Sequence, residues 1–309
     1  MKPERILVTG GAGFIGSHTV DALLASGRQV VVLDNLSSGK LTNLPLNHAD
    51  LSFIEGDVLE YPLVLDLMRD VNAVLHLAAI ASVPQSIDYP AYTLQVNTLG
   101  LVHVLQAVRE SGRAVRVVYA SSASVYGDEP KLPCNDERAL AAPPLSPYAL
   151  QKLNCEQYAD LYQRLHGQAC FGLRYFNVYG SRQDPHSPYS GVISRFLDAY
   201  HANTPLTLLG DGLQSRDFIH VSDVARANLL ALDTKASGVV NVATGQPETL
   251  VQLIDYIQAA GGRPAAVVGA PARAGDIRAS YATTALAERL LQFTYRVPLK
   301  NGIAELVTG

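Results

Sequence analysis

The sequence has few of the features that mark a secreted, metal-binding or membrane-bound protein. It holds three cysteines, Cys134, Cys155 and Cys170, whose spacing fits neither a disulfide framework nor a set of metal ligands. An odd number of thiols without a leader segment predicts reduced side chains in a cytoplasm. Its 8 histidines are scattered, with no HxH or HExxH grouping, so no metal site is expected. No apolar run approaches the roughly 18 residues that a membrane-spanning helix needs. The first such run, residues 6–8, is too short for a signal peptide. Excess charge of either sign is also scarce. With 24 Lys and Arg against 28 Asp and Glu, and no basic stretch longer than residues 113–116, nothing predicts a nucleic acid or a membrane surface as partner.

What is present is an alternation of strand and helix. At 309 residues the chain exceeds one typical core, which predicts two packed lobes. Apolar strands at residues 5–9, 29–34, 51–55, 73–77, 115–121 and 170–175 alternate with helical stretches, among them 17–26, 63–69, 92–110 and 147–166. Ser146-Pro147 opens the last of these: serine caps free amides, and proline at the first helical position loses no hydrogen bond. Buried strands separated by helices predict an α/β fold, a Rossmann-like doubly wound parallel sheet. That sheet would occupy residues 1–176, with catalytic residues included. Residues 177–309 would form mainly a smaller mixed α/β substrate-binding lobe, with about 221–248 returning to the first.

Glycines at 10, 13 and 16 follow the first strand and open the first helix. The first permits a tight turn, the second lets backbone approach a pyrophosphate, and the third lets helix and strand pack closely. Asp34, ending the second strand, is placed to accept hydrogen bonds from an adenosine ribose. A carboxylate there repels a 2′-phosphate and no arginine follows it, since the neighbours are Asn35 and Leu36, so NAD is expected over NADP. Asp57-Val58 can contact adenine, and Leu77-Ala78-Ala79 leaves small side chains beside the phosphates.

The chemical signal is Ser122 with Tyr148 and Lys152. Tyrosine and lysine four apart on one helix share a face. A phenol's ordinary pKa of roughly 10 makes loss of its proton costly at neutral pH, and a nearby ammonium lowers that cost. Ser122, ending the preceding strand, can hold the same substrate oxygen. What is missing again matters: Ala123-Ser124 supplies no acid beside that hydroxyl, which disfavours elimination of water.

These segments resemble the extended short-chain dehydrogenase/reductases, and within them the nucleotide-sugar 4-epimerases. The matching stretches are 9–17, 77–79, Asn97, 121–127, 146–152, 173–180, 210–223 and 273–276, so the resemblance spans nearly the whole chain. It implies that bound NAD exchanges hydride with C4 of a hexose while Tyr148 takes the 4-hydroxyl proton. Lys152 would hold the nicotinamide ribose and tune Tyr148, with Ser122 orienting the oxygen and Ser124 as an auxiliary hydroxyl. It extends the cofactor set to Phe14, Ile15, Asn97, Ser121 and Tyr175, with Asn35. It assigns Asn177, Arg216 and Arg273 to a substrate diphosphate, where guanidinium forks supply paired bonds. Asp276 would meet the nucleotide ribose, Val192 would contact the substrate, and the loop around Leu208-Leu209 would frame the base, with uridine expected. Gln183-Asp184-Pro185 with Ser187 would either contact the sugar or form a lid turn.

Ser280 resembles the position where bulky aromatics exclude a C2 acyl group, so a serine predicts use of both UDP-hexoses and UDP-N-acetylhexosamines. Rival readings are a UDP-glucuronate 4-epimerase, with Arg182 or Arg195 reaching a carboxylate, and a nucleotide-sugar 4-ketoreductase. A catalytically silent NAD sensor is the alternative of another class. The resemblance also implies a homodimer through a four-helix bundle. The 92–110 and 147–166 helices offer Leu101, Val104, Leu105, Val108, Leu153, Tyr158 and Leu161, although the same periodicity would serve a core.

Overall fold

The computed structural model describes residues 4–138, 140–184, 191–272 and 277–309. Six strands, β1 (Arg5–Thr9), β2 (Gln29–Asp34), β3 (Leu51–Glu55), β4 (Ala73–His76), β5 (Arg116–Ser122) and β6 (Cys170–Tyr175), lie in the order β3-β2-β1-β4-β5-β6. A seventh, Gly238–Val242, adds beyond β6. Every pairing is parallel. Such a sheet needs cover on both faces, and the strands carry apolar residues at successive positions to receive it. Ile6 and Val8 point into one core with Val20, Leu23, Val224 and Phe171, whereas Leu7 points into the other with Val64, Leu101, Val104 and Val117. This is the period-two alternation of a strand turned to opposite faces.

That second core corrects one expectation. Leu101, Val104, Leu105 and Val108 are buried within their own chain, not offered as surface. The exposed apolar residues of these helices are instead Tyr92, Leu94 and Leu99 with Leu150, Tyr158, Leu161 and Leu165.

The single helix expected over 92–110 is also broken. Pro90–Leu94 and Gly100–Glu110 are α-helical, and Gln95–Leu99 between them is a wider π-type turn. Such a turn frees backbone groups from the α ladder. Here the Asn97 carbonyl accepts the Cys155 thiol at 3.1 Å. The helix expected over 63–69 begins earlier, at Tyr61, with Pro62 in its first turn. All three cysteines are buried and free, and burial pushes their thiols up to about 11, 11 and 12 in chain order.

After β6 the chain builds a second, smaller sheet around Ser215–His220, which pairs with Asn177–Tyr179, Pro247–Thr249 and Ala279–Ser280. Leu206–Leu209 pairs separately with Val267–Ala270. Phe196, Tyr200, Leu253, Ile257 and Ile303 form the core there. The helix Val221–Asp233 and the strand Gly238–Val242 belong with the large sheet. So do Ala287, Leu291 and Phe293, a return that the short, weakly patterned 285–291 helix did not announce. Asp217, fully buried, joins the two groups: its carboxylate accepts from the amide and hydroxyl of Thr244 at 2.8 and 2.7 Å and from the Gly245 amide at 2.8 Å. Among the described residues no helix is long and apolar enough to cross a membrane.

Candidate active site

Strand order reverses between β1 and β4, and a crevice opens there at the carboxyl ends of the strands. A cleft of about 510 Å³ occupies it. The glycine turn forms one wall and is packed too tightly for side chains. Gly10 has φ +70°, and a Cβ on Gly16 would stand 2.1 Å from the Gly10 carbonyl oxygen. Gly13 caps the Phe14–Ala25 helix without a side-chain acceptor, so the first-turn amides stay available at the cleft edge.

Gly10, Gly13, Phe14, Ile15, Gly16, Asp34, Asn35, Asp57, Val58, Leu77, Ala78, Ala79, Ser121, Tyr148, Lys152 and Tyr175 all line this cleft, as does Ser122. Asp34 is held by the Ala12 and Leu36 amides at 2.9 and 2.8 Å, and Asn35 donates to Asp57 at 2.8 Å. No arginine lines the cleft among the described residues. An uncapped helix start, a turn stripped of Cβ atoms and a lone carboxylate at the end of β2 fit NAD, with nothing to balance a 2′-phosphate. Tyr175 contributes its ring, since its hydroxyl turns away to donate to Asn228 at 2.6 Å.

Two residues fall elsewhere than expected. Asn97 does not line the cleft. Its side chain accepts from the Ile80 amide at 2.7 Å and donates to the Ile80 carbonyl at 3.0 Å and to Gln151 at 2.8 Å, so it braces the 77–81 loop from behind. Ser124 does not line it either. Its hydroxyl is buried without a partner, and its amide donates to Ser122 Oγ at 3.2 Å.

The helix Pro147–His166 carries Tyr148 and Lys152. Ser146 Oγ accepts the Ala149 amide at 3.1 Å, as its capping position requires. The next free amide, that of Tyr148, goes to Ser86 Oγ at 3.0 Å, a residue sequence reasoning did not single out. Lys152 is nearly buried, donates to the Ala120 carbonyl at 3.0 Å, and places its ammonium 5.9 Å from the Tyr148 ring centre.

His76 lies behind this ammonium. Burial, with the charge of Lys152 adding to it, pushes its pKa from 6.5 down to about 3. Thr9 Oγ1 accepts the Ala78 amide and lies 2.9 Å from His76 Nδ1, while His76 Nε2 is buried without a partner among the described residues. The ring is therefore neutral at ordinary pH. Between pH 6.5 and 3 the unfolded chain binds one more proton at this residue than the folded one. Stability must then fall as pH drops below 6.5, by at most about 1.4 kcal/mol per pH unit. A His76→Gln variant should lose stability less steeply than the parent, by up to that amount between about pH 6.5 and 5.5, read from urea midpoints. Identical slopes would remove His76 from the acid response.

A second pocket of about 230 Å³ continues from the first through Asn177, Val178, Gln183 and Gly191. Val192, Arg195, Thr207, Leu209, Gln214, Arg216, Phe218 and Leu250 also line it. Leu208 does not. Strand alternation turns it into the smaller core and gives the pocket Leu209, named with it from the sequence, and Thr207, which was not. Gln214, unanticipated, is fixed by donating to the Leu209 carbonyl at 2.8 Å. Asn177 Nδ2 donates to the Asp217 carbonyl at 3.1 Å, beside Arg216. Ser280 pairs in register with Arg216 but lines neither cleft. Arg182 is held by Asp21 at 2.7 Å. Arg273, Asp276, Pro185 and Ser187 lie outside the described residues.

Known proteins share this arrangement. A putative UDP-glucose 4-epimerase of Methanocaldococcus jannaschii is 40% identical over 305 residues, 98% of this chain and 97% of that protein. The solved UDP-N-acetylglucosamine 4-epimerase of Methanobrevibacter ruminantium, in complex with UDP-N-acetylmuramic acid, superposes with a TM-score of 0.94 at 37% identity, covering 100% and 98% of the two chains. The Thermus thermophilus UDP-glucose 4-epimerase in complex with NAD gives 0.88 at 37% identity, covering 98% of each. Residues 6–243 match the NAD dependent epimerase/dehydratase family, and the chain belongs to it.

Proposed function

We propose that the protein inverts C4 of UDP-linked hexoses, interconverting UDP-Glc with UDP-Gal and UDP-GlcNAc with UDP-GalNAc through a transient 4-keto sugar. The observation that carries this reading is the joining of two pockets. Ser122, Tyr148 and Lys152 line the one built for a dinucleotide, and Asn177 and Arg216 line the pocket that continues from it. NAD, when bound, supplies an acceptor and then a donor of hydride, so the cycle has no net redox change.

The chain's own residues handle the proton and the geometry. Tyr148 takes the 4-hydroxyl proton and returns it, Ser122 holds that oxygen, and Lys152 stabilises the phenolate by its charge. Ala123 and Ser124 stand where an eliminating enzyme needs acids, which supports inversion without loss of water. Asn177 and Arg216, joined by Arg273, hold the diphosphate, and Asp276 the ribose. Leu209, with Val192 and Thr207 beside it and without Leu208, frames the base. A serine at 280 puts no aromatic wall in register beside Arg216, which supports room for a C2 N-acetyl group. The exposed apolar band from Tyr92 to Leu99 and from Leu150 to Leu165 supports a homodimer through a four-helix bundle, and the three buried reduced thiols suit the cytoplasm.

Purified protein incubated with UDP-Glc, UDP-GlcNAc and UDP-GlcA, without added cofactor, should form UDP-Gal and UDP-GalNAc. Formation of UDP-GalA alone would replace this substrate class, and a requirement for added reduced cofactor would point to a ketoreductase.

A further inference from the structure

The turn that presents Ser122 is tied at both ends to one buried ion pair. Glu156 and Arg174 are 8% and 7% exposed, and the guanidinium meets the carboxylate with two bonds, Nε to Oε1 at 2.8 Å and Nη2 to Oε2 at 2.7 Å. Ser121, just before Ser122, donates its hydroxyl to Glu156 Oε1 at 2.5 Å. Tyr126, the last residue of the Ala123–Tyr126 turn, accepts Arg174 Nη1 at 2.8 Å and lies 4.8 Å beneath the guanidinium. Its own hydrogen goes to Asn241 Oδ1 at 2.8 Å, and Asn241 Nδ2 donates to the Cys134 and Thr283 carbonyls at 3.2 and 3.3 Å.

Glu156 follows Lys152 by one helical turn and Tyr148 by two, on the same flank of the helix. We propose that Glu156, through Arg174, is a positioning residue that sets the distance between the Ser122 turn and the helix carrying Tyr148 and Lys152. The catalytic part of this inference rests on the 4-epimerase reading of the cleft. A buried ion pair is weak support for stability, because desolvation offsets much of its attraction. What this pair does supply is direction. Two charged forks and two hydroxyls leave the turn one place to sit, and a displacement of about 1 Å at reacting groups costs on the order of 10²-fold in rate.

The test exchanges the pair for apolar residues of similar volume, Glu156→Leu with Arg174→Met, a kind of replacement that often preserves folding. The double variant should melt near the parent and keep its bound dinucleotide. Its kcat should fall about 100-fold while KM stays within about twofold. Backbone amides of residues 123–126 should exchange faster by mass spectrometry, a readout that needs no turnover. If the double variant does not fold, Tyr126→Phe decides, since it removes one hydroxyl and leaves the pair intact. It should lower kcat about tenfold at unchanged KM and speed the same amides.

A folded double variant, or failing that Tyr126→Phe, with parental kcat and parental exchange at 123–126 would overturn the proposal. A loss confined to KM would overturn it too. A parent that interconverts no UDP-sugar would instead refute the epimerase reading, leaving the exchange result to judge the tether.

Discussion

Replacing Tyr148 by Phe should lower turnover by about 10²–10⁴-fold while the bound dinucleotide stays in place. The size follows from the lack of a substitute. Among the titratable groups lining the cleft, Asp34 and Asp57 stand at the far end, on the β2 and β3 side of the glycine turn. Tyr175 directs its hydroxyl to Asn228, and burial pushes its phenol well above the ordinary range. Lys152 is anchored to the Ala120 carbonyl and carries charge without offering an acceptor. His76 is neutral, buried and not among the lining residues. Ser122 has a hydroxyl but no base beside it. The remaining lining phenol, Tyr92, has no lysine one turn along its helix to favour loss of its proton, so removing one oxygen from Tyr148 leaves no equivalent base among the described residues, and the variant keeps the ring's packing. Steady-state rates with retained-cofactor content measured on the same preparation check this. Undiminished turnover would remove Tyr148 from the chemistry.

A comparable loss should come from a single added methyl. In Gly16→Ala the new Cβ would meet the Gly10 carbonyl oxygen at 2.1 Å and Gly11 Cα at 2.8 Å, both of them backbone. A flexible side chain can swing aside, but this turn can relieve the contact only by moving the segment that faces the phosphates. Overpacking of this kind typically costs about 1–3 kcal/mol, and the displaced amides no longer converge on one site. Purified Gly16→Ala protein should therefore lack the bound dinucleotide and melt below the parent. Retention of both properties would mean that the turn is more yielding than its packing indicates, and that Gly16 is dispensable for the cofactor.

Most of the dinucleotide end was legible in the chain. Glycine spacing, a strand ahead of it and an acid ending the next strand describe a local structure, and local structure is what sequence pattern encodes best. The Ser146 cap and the Tyr148–Lys152 face were legible for the same reason, being contacts within one helix. Asn97, Ser124 and Leu208 were misplaced because their destinations depend on details beyond periodicity. A π-type turn directs Asn97 to the 77–81 loop, a tight turn buries the Ser124 hydroxyl, and strand alternation hands the pocket to Thr207 and Leu209. The apolar stripe of the 100–110 helix was ambiguous on its own, since core and dimer interface ask for the same residues.

The doubly wound class, the dinucleotide turn and the Tyr148–Lys152 face, to which Ser122 was added as the end of a strand, could all be read before any coordinates, because each is written in local pattern. Which side chains bond to the elements that carry these three residues emerged only from the packed molecule. Ser86 and Glu156 with Arg174 bond partners up to 62 residues away, at positions no local pattern links. Their roles exist only once β5, β6 and the 147–166 helix have packed, since burial makes their polar groups seek one another.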